Sequence, residues 1–187
     1  MRTVLFLCTG NYYRSRFAEE LFNHHAERAG LDWTAQSRGL ALERGAHNVG
    51  PISPVALHGL KELAIPARGA DRFPQQCTAS DLASADFVVA VKEAEHRPLM
   101  REQFAEWEHV PDYWNVHDVE DAAPAEALNL LAQEVQTLLQ RFRRAYALAL
   151  VNDWSDNSIW RVDATGMMSC RSTPFCGTLA AWFKSSA

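Results

Sequence analysis

The chain has 187 residues, 48% of them hydrophobic, and a formal net charge of -5. That is enough apolar material for one domain with a sizeable core, and a mildly acidic chain without a basic cluster argues against general nucleic-acid binding. No apolar run approaches the length of a membrane span, and the short stretch VLFL after Thr3 lacks the form of a secretory signal, so a cytoplasmic location with no membrane partner is expected.

The first element is Thr3 to Cys8, TVLFLC. A short continuous apolar run suits a strand buried on both faces of a parallel sheet. A helix is predicted over Ser15 to Ala29, where Phe17, Leu21 and Phe22 recur at helical spacing and Gly30 suits a C-terminal stop. Trp33 to Ser37 fits a second strand. After a loop rich in Gly, His and Asn, Ser53 and Pro54 form a helix start, with Ser as cap and Pro in the first turn. Ala85 to Val91 is the next buried-looking strand and Lys92 to Phe104 a helix. A fourth short strand falls within Val110 to Val119. A long amphipathic helix runs from Ala125 to about Leu150, with Leu128, Leu131, Val135, Leu138, Leu139 and Phe142 on one face.

Alternating strands and helices define an α/β domain. The expected fold is flavodoxin-like and doubly wound, with about four parallel strands and helices on both faces. Residues 1–150 form this domain and 151–187 a C-terminal extension without clear periodicity. The four cysteines, at 8, 77, 170 and 176, do not suggest a disulfide framework, and reduced thiols are expected. Cys170 and Cys176 supply at most half a metal site and are read as unpaired tail cysteines.

In sheets of this kind ligands bind beyond the carboxyl ends of the strands. The octapeptide Cys8 to Ser15, CTGNYYRS, sits there. The loop must turn sharply from strand to helix, and Gly10 and Asn11 tolerate left-handed backbone. Such a turn directs successive N–H groups at an anion, and the following helix N-terminus adds donors and partial positive charge. The same field favours a thiolate at a cysteine placed there. Arg14 supplies a planar fork matched to two phosphate oxygens, and the Ser15 hydroxyl can hydrogen-bond the sulfur. Attack of the Cys8 sulfur on phosphorus, giving a phosphocysteine that water cleaves, is the predicted chemistry. The GxxxxGK[ST] pattern of a nucleotide-binding loop is missing, and no metal or cofactor is expected. Tyr12 and Tyr13 either line the pocket mouth and stack on an aryl group or wedge the loop against the core.

The strand followed by Cys8-Thr9-Gly10-Asn11-Tyr12-Tyr13-Arg14-Ser15 resembles the low-molecular-weight protein tyrosine phosphatase family, whose loop usually reads C-x-G-N-x-C-R-S. The likeness extends to Ser37-Arg38-Gly39 and to the Ala85-Asp86 strand followed by His96-Arg97, and covers about residues 1–150. It implies that Cys8 is the nucleophile and Arg14 the phosphate clamp. It further implies that Asn11 braces the loop, Ser15 tunes the thiolate and Ser37 bonds Asn11. Thr9, Gly10, Tyr12 and Tyr13 then complete the substrate-binding loop. The implied activity is a metal-independent phosphomonoesterase acting on phosphotyrosine proteins or small aryl phosphates.

Two features depart from the family. Tyr13 replaces its second loop cysteine, which usually traps an oxidised nucleophile, so peroxide damage is expected to be harder to reverse. The Asp-Pro pair that supplies the family's general acid is missing. Asp112, Asp118 and Asp121 compete for the role, with Asp118 favoured because its distances from Trp114 and from the Ala125 helix resemble the family spacing. Glu93, Glu95 and His96 read as a solvated helix face. Two alternatives stand beside the phosphatase. One is a thiol-dependent arsenate reductase, which needs a relay of thiols. The other is a phosphotyrosine-binding module with weak turnover.

Overall fold

The structure is a computed structural model that describes residues 1–45, 47–116, 124–156, 160–162 and 168–170. Asp118, Asp121 and Cys176 lie outside the described residues. Two compact units divide the chain, Met1–Arg141 and Phe142–Ala187.

In the first unit, strands β1 (Arg2–Cys8), β2 (Trp33–Gly39), β3 (Phe87–Ala90) and β4 (Asp112–Tyr113) form one sheet in the order β2-β1-β3-β4. All three pairings are parallel. This is the expected four-stranded parallel sheet with flanking helices. β1 is central, and Val4 to Cys8 are all buried, which is why its apolar residues run without alternation. Leu5 and Leu7 join Leu82, Leu99 and Met100 in one core cluster. The last three belong to helices α3 (Ala79–Ser84) and α4 (Glu93–Gln103). Phe6, on the opposite face of β1, packs edge-on to Phe22 of helix α1 (Arg14–Arg28), with ring centroids 6.0 Å apart.

Helix ends follow local chemistry. Gly30, at φ 62°, closes α1; Gly30 N–H bonds Glu27 O and Leu31 N–H bonds Ala26 O. That paired pattern needs a left-handed residue after the helix, which glycine adopts without strain. Helix α2 (Pro54–Glu62) starts at Ser53, whose hydroxyl accepts from Val55 N–H. The six-residue α3 was not among the sequence expectations. Its signal is the pair Thr78 and Asp81, each side chain accepting from the other's backbone N–H. Helix α5 (Pro124–Asp156) buries Leu128, Leu131, Val135, Leu138 and Leu139, the apolar stripe read from the sequence.

In the second unit, β5 (Trp160–Val162) and β6 (Met168–Cys170) pair antiparallel, with Trp160 opposite Cys170. Among the described residues, no helix is long and apolar enough to cross a membrane.

Candidate active site

β1 ends at Cys8 and α1 begins at Arg14, so residues 9–13 must reverse the chain. Asn11 makes this possible with φ 47°, a conformation that asparagine tolerates better than most residues. It is fully buried, and its side chain is bonded at both ends. Nδ2 donates to Ser15 Oγ at 3.1 Å and to Ser37 Oγ at 2.8 Å. Oδ1 accepts from Gln75 N–H at 2.9 Å and, over a longer contact of 3.4 Å, from Arg72 Nη1. Ser15 Oγ in turn lies 3.0 Å from Cys8 Sγ. Cys8, Ser15, Asn11 and Ser37 thus form one buried chain of contacts.

The loop carbonyls are tied outward. Leu40 N–H bonds Cys8 O, Ala41 N–H bonds Thr9 O, Ser53 N–H bonds Tyr12 O and Phe17 N–H bonds Tyr13 O. No peptide bond is cis. In a planar trans peptide the N–H points opposite to the C=O, so the amides of Thr9, Gly10, Tyr13 and Arg14 face the inner side of the loop. The Tyr13 side chain makes no capping hydrogen bond to the start of α1, and no acidic residue stands in the first turn. The helix field is therefore left to whatever anion the loop takes. Gly39 at the end of β2 permits the close fit of the loop. A Cβ there would lie 2.9 Å from Thr9 O and 3.0 Å from Asn11 N.

Arg14 is buried. Its Nη2 meets Glu95 Oε2 at 2.7 Å, and its Nη1 meets Glu95 Oε1 at 3.2 Å and Val116 O at 3.3 Å. Glu95 also receives Lys92 Nζ at 3.3 Å. Burial alone would raise the Glu95 pKa. The hydrogen bonds and charge of Arg14, with the hydrogen bond of Lys92, outweigh that and hold the carboxyl below its ordinary value. His96 is fully buried, and burial, reinforced by the Arg14 charge, pushes its pKa down to about 3. Its Nδ1 accepts from Lys92 N–H at 3.0 Å, so the proton of the neutral ring sits on Nε2. That nitrogen faces Thr9 Oγ1 at 3.4 Å and Glu95 Oε2 at 3.5 Å. The contact with Glu95 is a long neutral N–H···O contact and no ion pair. These distances correct the reading of Glu95 and His96 as a solvated face: both turn toward the loop. The available signal was their position just after β3, at the carboxyl edge of the sheet where ligands bind.

Behind the loop, Arg72 and Glu19 extend the Asn11–Ser37 chain, which the sequence reading also missed. Glu19 Oε2 accepts from Ser37 Oγ and from Arg72 Nη2, each at 2.5 Å. Arg16 is fully buried beside them and bonds Gly69 O through Nη2; its Nε and Nη1 have no hydrogen-bond partner among the described residues.

The two tyrosines separate. Tyr13 is buried, whereas Tyr12 is half-buried and donates its hydroxyl to Val49 O at 2.7 Å. Asp112 sits in β4 with Oδ2 2.8 Å from Arg141 Nη1. Its neighbour Tyr113 donates to Glu108 O at 2.6 Å and lies under Arg97, whose guanidinium carbon is 4.1 Å from the ring centroid. Among the described residues there is no cluster of His, Cys, Asp or Glu that could hold a metal ion.

A parallel α/β sheet with such an anion-receiving turn at the end of its first strand defines a narrow class of fold. The chain belongs to the low molecular weight phosphotyrosine protein phosphatase family, which it matches over residues 3–147. It is 33% identical over 104 residues to a protein-arginine-phosphatase of Bacillus subtilis (strain 168), a match covering 56% of this chain and 64% of that one. The chain thus spans a little under two thirds of that relative. The fold resembles the low molecular weight protein tyrosine phosphatase of T. tengcongensis, with a TM-score of 0.63 and 26% identity over 75% of this chain and 99% of that one. It also resembles a YwlE arginine phosphatase variant with a phosphorylated active-site serine, with a TM-score of 0.57 and 25% identity over 75% and 99% of the two chains.

Proposed function

We propose that this protein is a metal-independent phosphatase of phosphorylated protein side chains, acting through a phosphocysteine on Cys8. The observation that carries this reading is the buried chain Cys8–Ser15–Asn11–Ser37 beneath a loop whose inner face presents amides and whose helix begins at Arg14. Residues 1–150 form the catalytic unit.

The sulfur of Cys8, as thiolate, attacks phosphorus while the bond to the leaving group breaks. Arg14 and the loop amides stabilise the charge on the equatorial oxygens. A carboxylic acid protonates the leaving atom. It then takes a proton from the water that attacks phosphorus, and the thiolate departs. Asp118 is the proposed acid. Val116 O bonds Arg14, and two residues of chain reach at most about 7 Å further. Asp112 is engaged by Arg141 and is assigned to structure. Thr9, Gly10, Tyr12, Tyr13 and Ser15 complete the substrate loop, Tyr12 being the ring closer to solvent. Ser37 supports it from behind.

Phosphotyrosine, with aryl phosphates as its simple analogues, is the first reading of the substrate. Phosphoarginine is the second, favoured by the similarity to the Bacillus subtilis arginine phosphatase and by the Glu95 carboxylate beside Arg14, a counter-ion for a cationic leaving group. The test compares kcat/KM on phosphotyrosine and phosphoarginine peptides in chelator. Activity is expected on at least one, abolished by Cys8→Ser. Asp118→Asn should lower turnover most for poor leaving groups, and Asp112→Asn should not. Turnover retained by Cys8→Ser would exclude the mechanism.

A further inference from the structure

We propose that Glu95 is a resident anion of the oxyanion loop. Its carboxylate competes with the phosphoryl group for Arg14 and thereby weakens retention of phosphate. The inference rests on reading residues 8–15 as the phosphoryl site.

Glu95 grips the terminal Nη1–Nη2 end of Arg14 with both oxygens, at 3.2 and 2.7 Å. A guanidinium paired end-on to a carboxylate already holds the kind of planar, two-oxygen guest it would offer to phosphate. The two partners differ in exposure. The Arg14 side chain is 3% exposed and that of Glu95 29%, so the arginine is fixed and the carboxylate has a path outward. Glu95 stands in the first turn of α4, and Lys92 at the mouth of that helix lies 3.3 Å from Oε1. Lys92 is a second cation to which Glu95 can turn when a phosphoryl group takes Arg14.

A buried guanidinium is costly unless its charge is balanced, and the Glu95 carboxylate helps to balance it before any substrate arrives. A phosphate dianion must then enter against the negative charge already on Arg14, whose repulsion in a partly desolvated site is large. Product phosphate occupies the same loop as the substrate's phosphoryl group, and the carboxylate returns to Arg14 as phosphate leaves. Neither Thr9 nor His96 replaces this charge, because their contacts with Glu95 are neutral and long, at 3.5 Å each.

The experiment measures the inhibition constants of inorganic phosphate and vanadate, with KM for an aryl phosphate, in the full chain and in Glu95→Gln and Glu95→Ala. Gln keeps the shape and one acceptor for Arg14; Ala removes both. If the charge competes, both inhibition constants fall about tenfold or more in both variants, and KM falls with them. If Glu95 merely props Arg14, Ala weakens phosphate binding and Gln leaves it nearly unchanged; that result overturns the proposal. Should Glu95→Ala fail to fold, Glu95→Gln decides alone: tighter phosphate supports the proposal and unchanged phosphate refutes it. A parent protein that hydrolyses aryl phosphate while the variants bind phosphate no more tightly refutes the role of Glu95 only. A parent that neither hydrolyses the substrate nor binds either oxyanion removes the phosphatase reading as well.

Discussion

Asn11 shows how much one side chain carries at this site. It accepts a left-handed backbone, spends its amide protons on Ser15 and Ser37, and receives Gln75 N–H on its oxygen. Cys8 gains from this order but has no neighbouring thiol in the loop, because Tyr13 stands where the family usually carries its second cysteine. Cys77 is a poor substitute. It is buried, and burial, with the Asp81 charge adding to it, pushes its thiol up to about 12. Resolving an oxidised cysteine requires a thiolate within reach. Excess peroxide should therefore carry Cys8 past the sulfenic stage to the sulfinic acid, which thiol reductants do not reverse. Activity assayed before and after reductant checks this. Little recovery is expected, and full recovery would show that a second thiol protects the site.

At the scale of elements, the site is made where β1, β2 and the start of α1 meet. The loop can settle against β2 only because Gly39 has no Cβ; an added methyl would press on Thr9 O and Asn11 N. Gly39→Ala is expected to cost about 1–3 kcal/mol of stability. It should lower kcat/KM while leaving the fold intact by circular dichroism, since the methyl meets the Leu42 side chain and the loop backbone at Thr9 O and Asn11 N. Unchanged kcat/KM would show that the loop does not depend on this fit. The β1–loop–α1 unit was legible in the sequence because each part has a strong local signal: a double-faced apolar run, Gly and Asn at the turn, an arginine at the helix start. Helix α3 was not, because six residues give no periodicity, and only the Thr78–Asp81 pair marks it. Glu95 and His96 were misread for a related reason. In KEAEHR four of the six residues are charged, which looks like a surface. Here the first turn of α4 folds the Glu95 carboxylate onto Arg14 and the neutral His96 ring onto Lys92 N–H, while Glu93 stays exposed. Burial that depends on a partner brought in from residue 14 leaves no trace in the local pattern.

Across the whole molecule, the sheet puts three separate segments on one guest-sized region: 8–15, 92–96 and the stretch that ends at Val116. Their charges make folding sensitive to acid. His96 is neutral inside the protein, with its pKa near 3 against an ordinary value of 6.5. The unfolded chain therefore binds the proton first as pH falls, and stability drops between about pH 6.5 and 3. One group contributes at most about 1.4 kcal/mol per pH unit in that window. Urea melts of the parent and of His96→Gln between pH 7 and pH 5, above the range where carboxylates titrate, isolate this share. The parent is expected to lose more stability than the variant, and equal losses would mean that His96 does not stay neutral in the fold. Every role proposed for these residues depends on phosphorus passing through the Cys8 sulfur. Rapid acid quench of the parent mixed with aryl phosphate, followed by peptide mapping, tests it most directly. One phosphoryl group per molecule on the peptide containing Cys8, formed within the first turnover, is the expected result. Turnover with no covalent phosphoenzyme, or with the label on another residue, would contradict it.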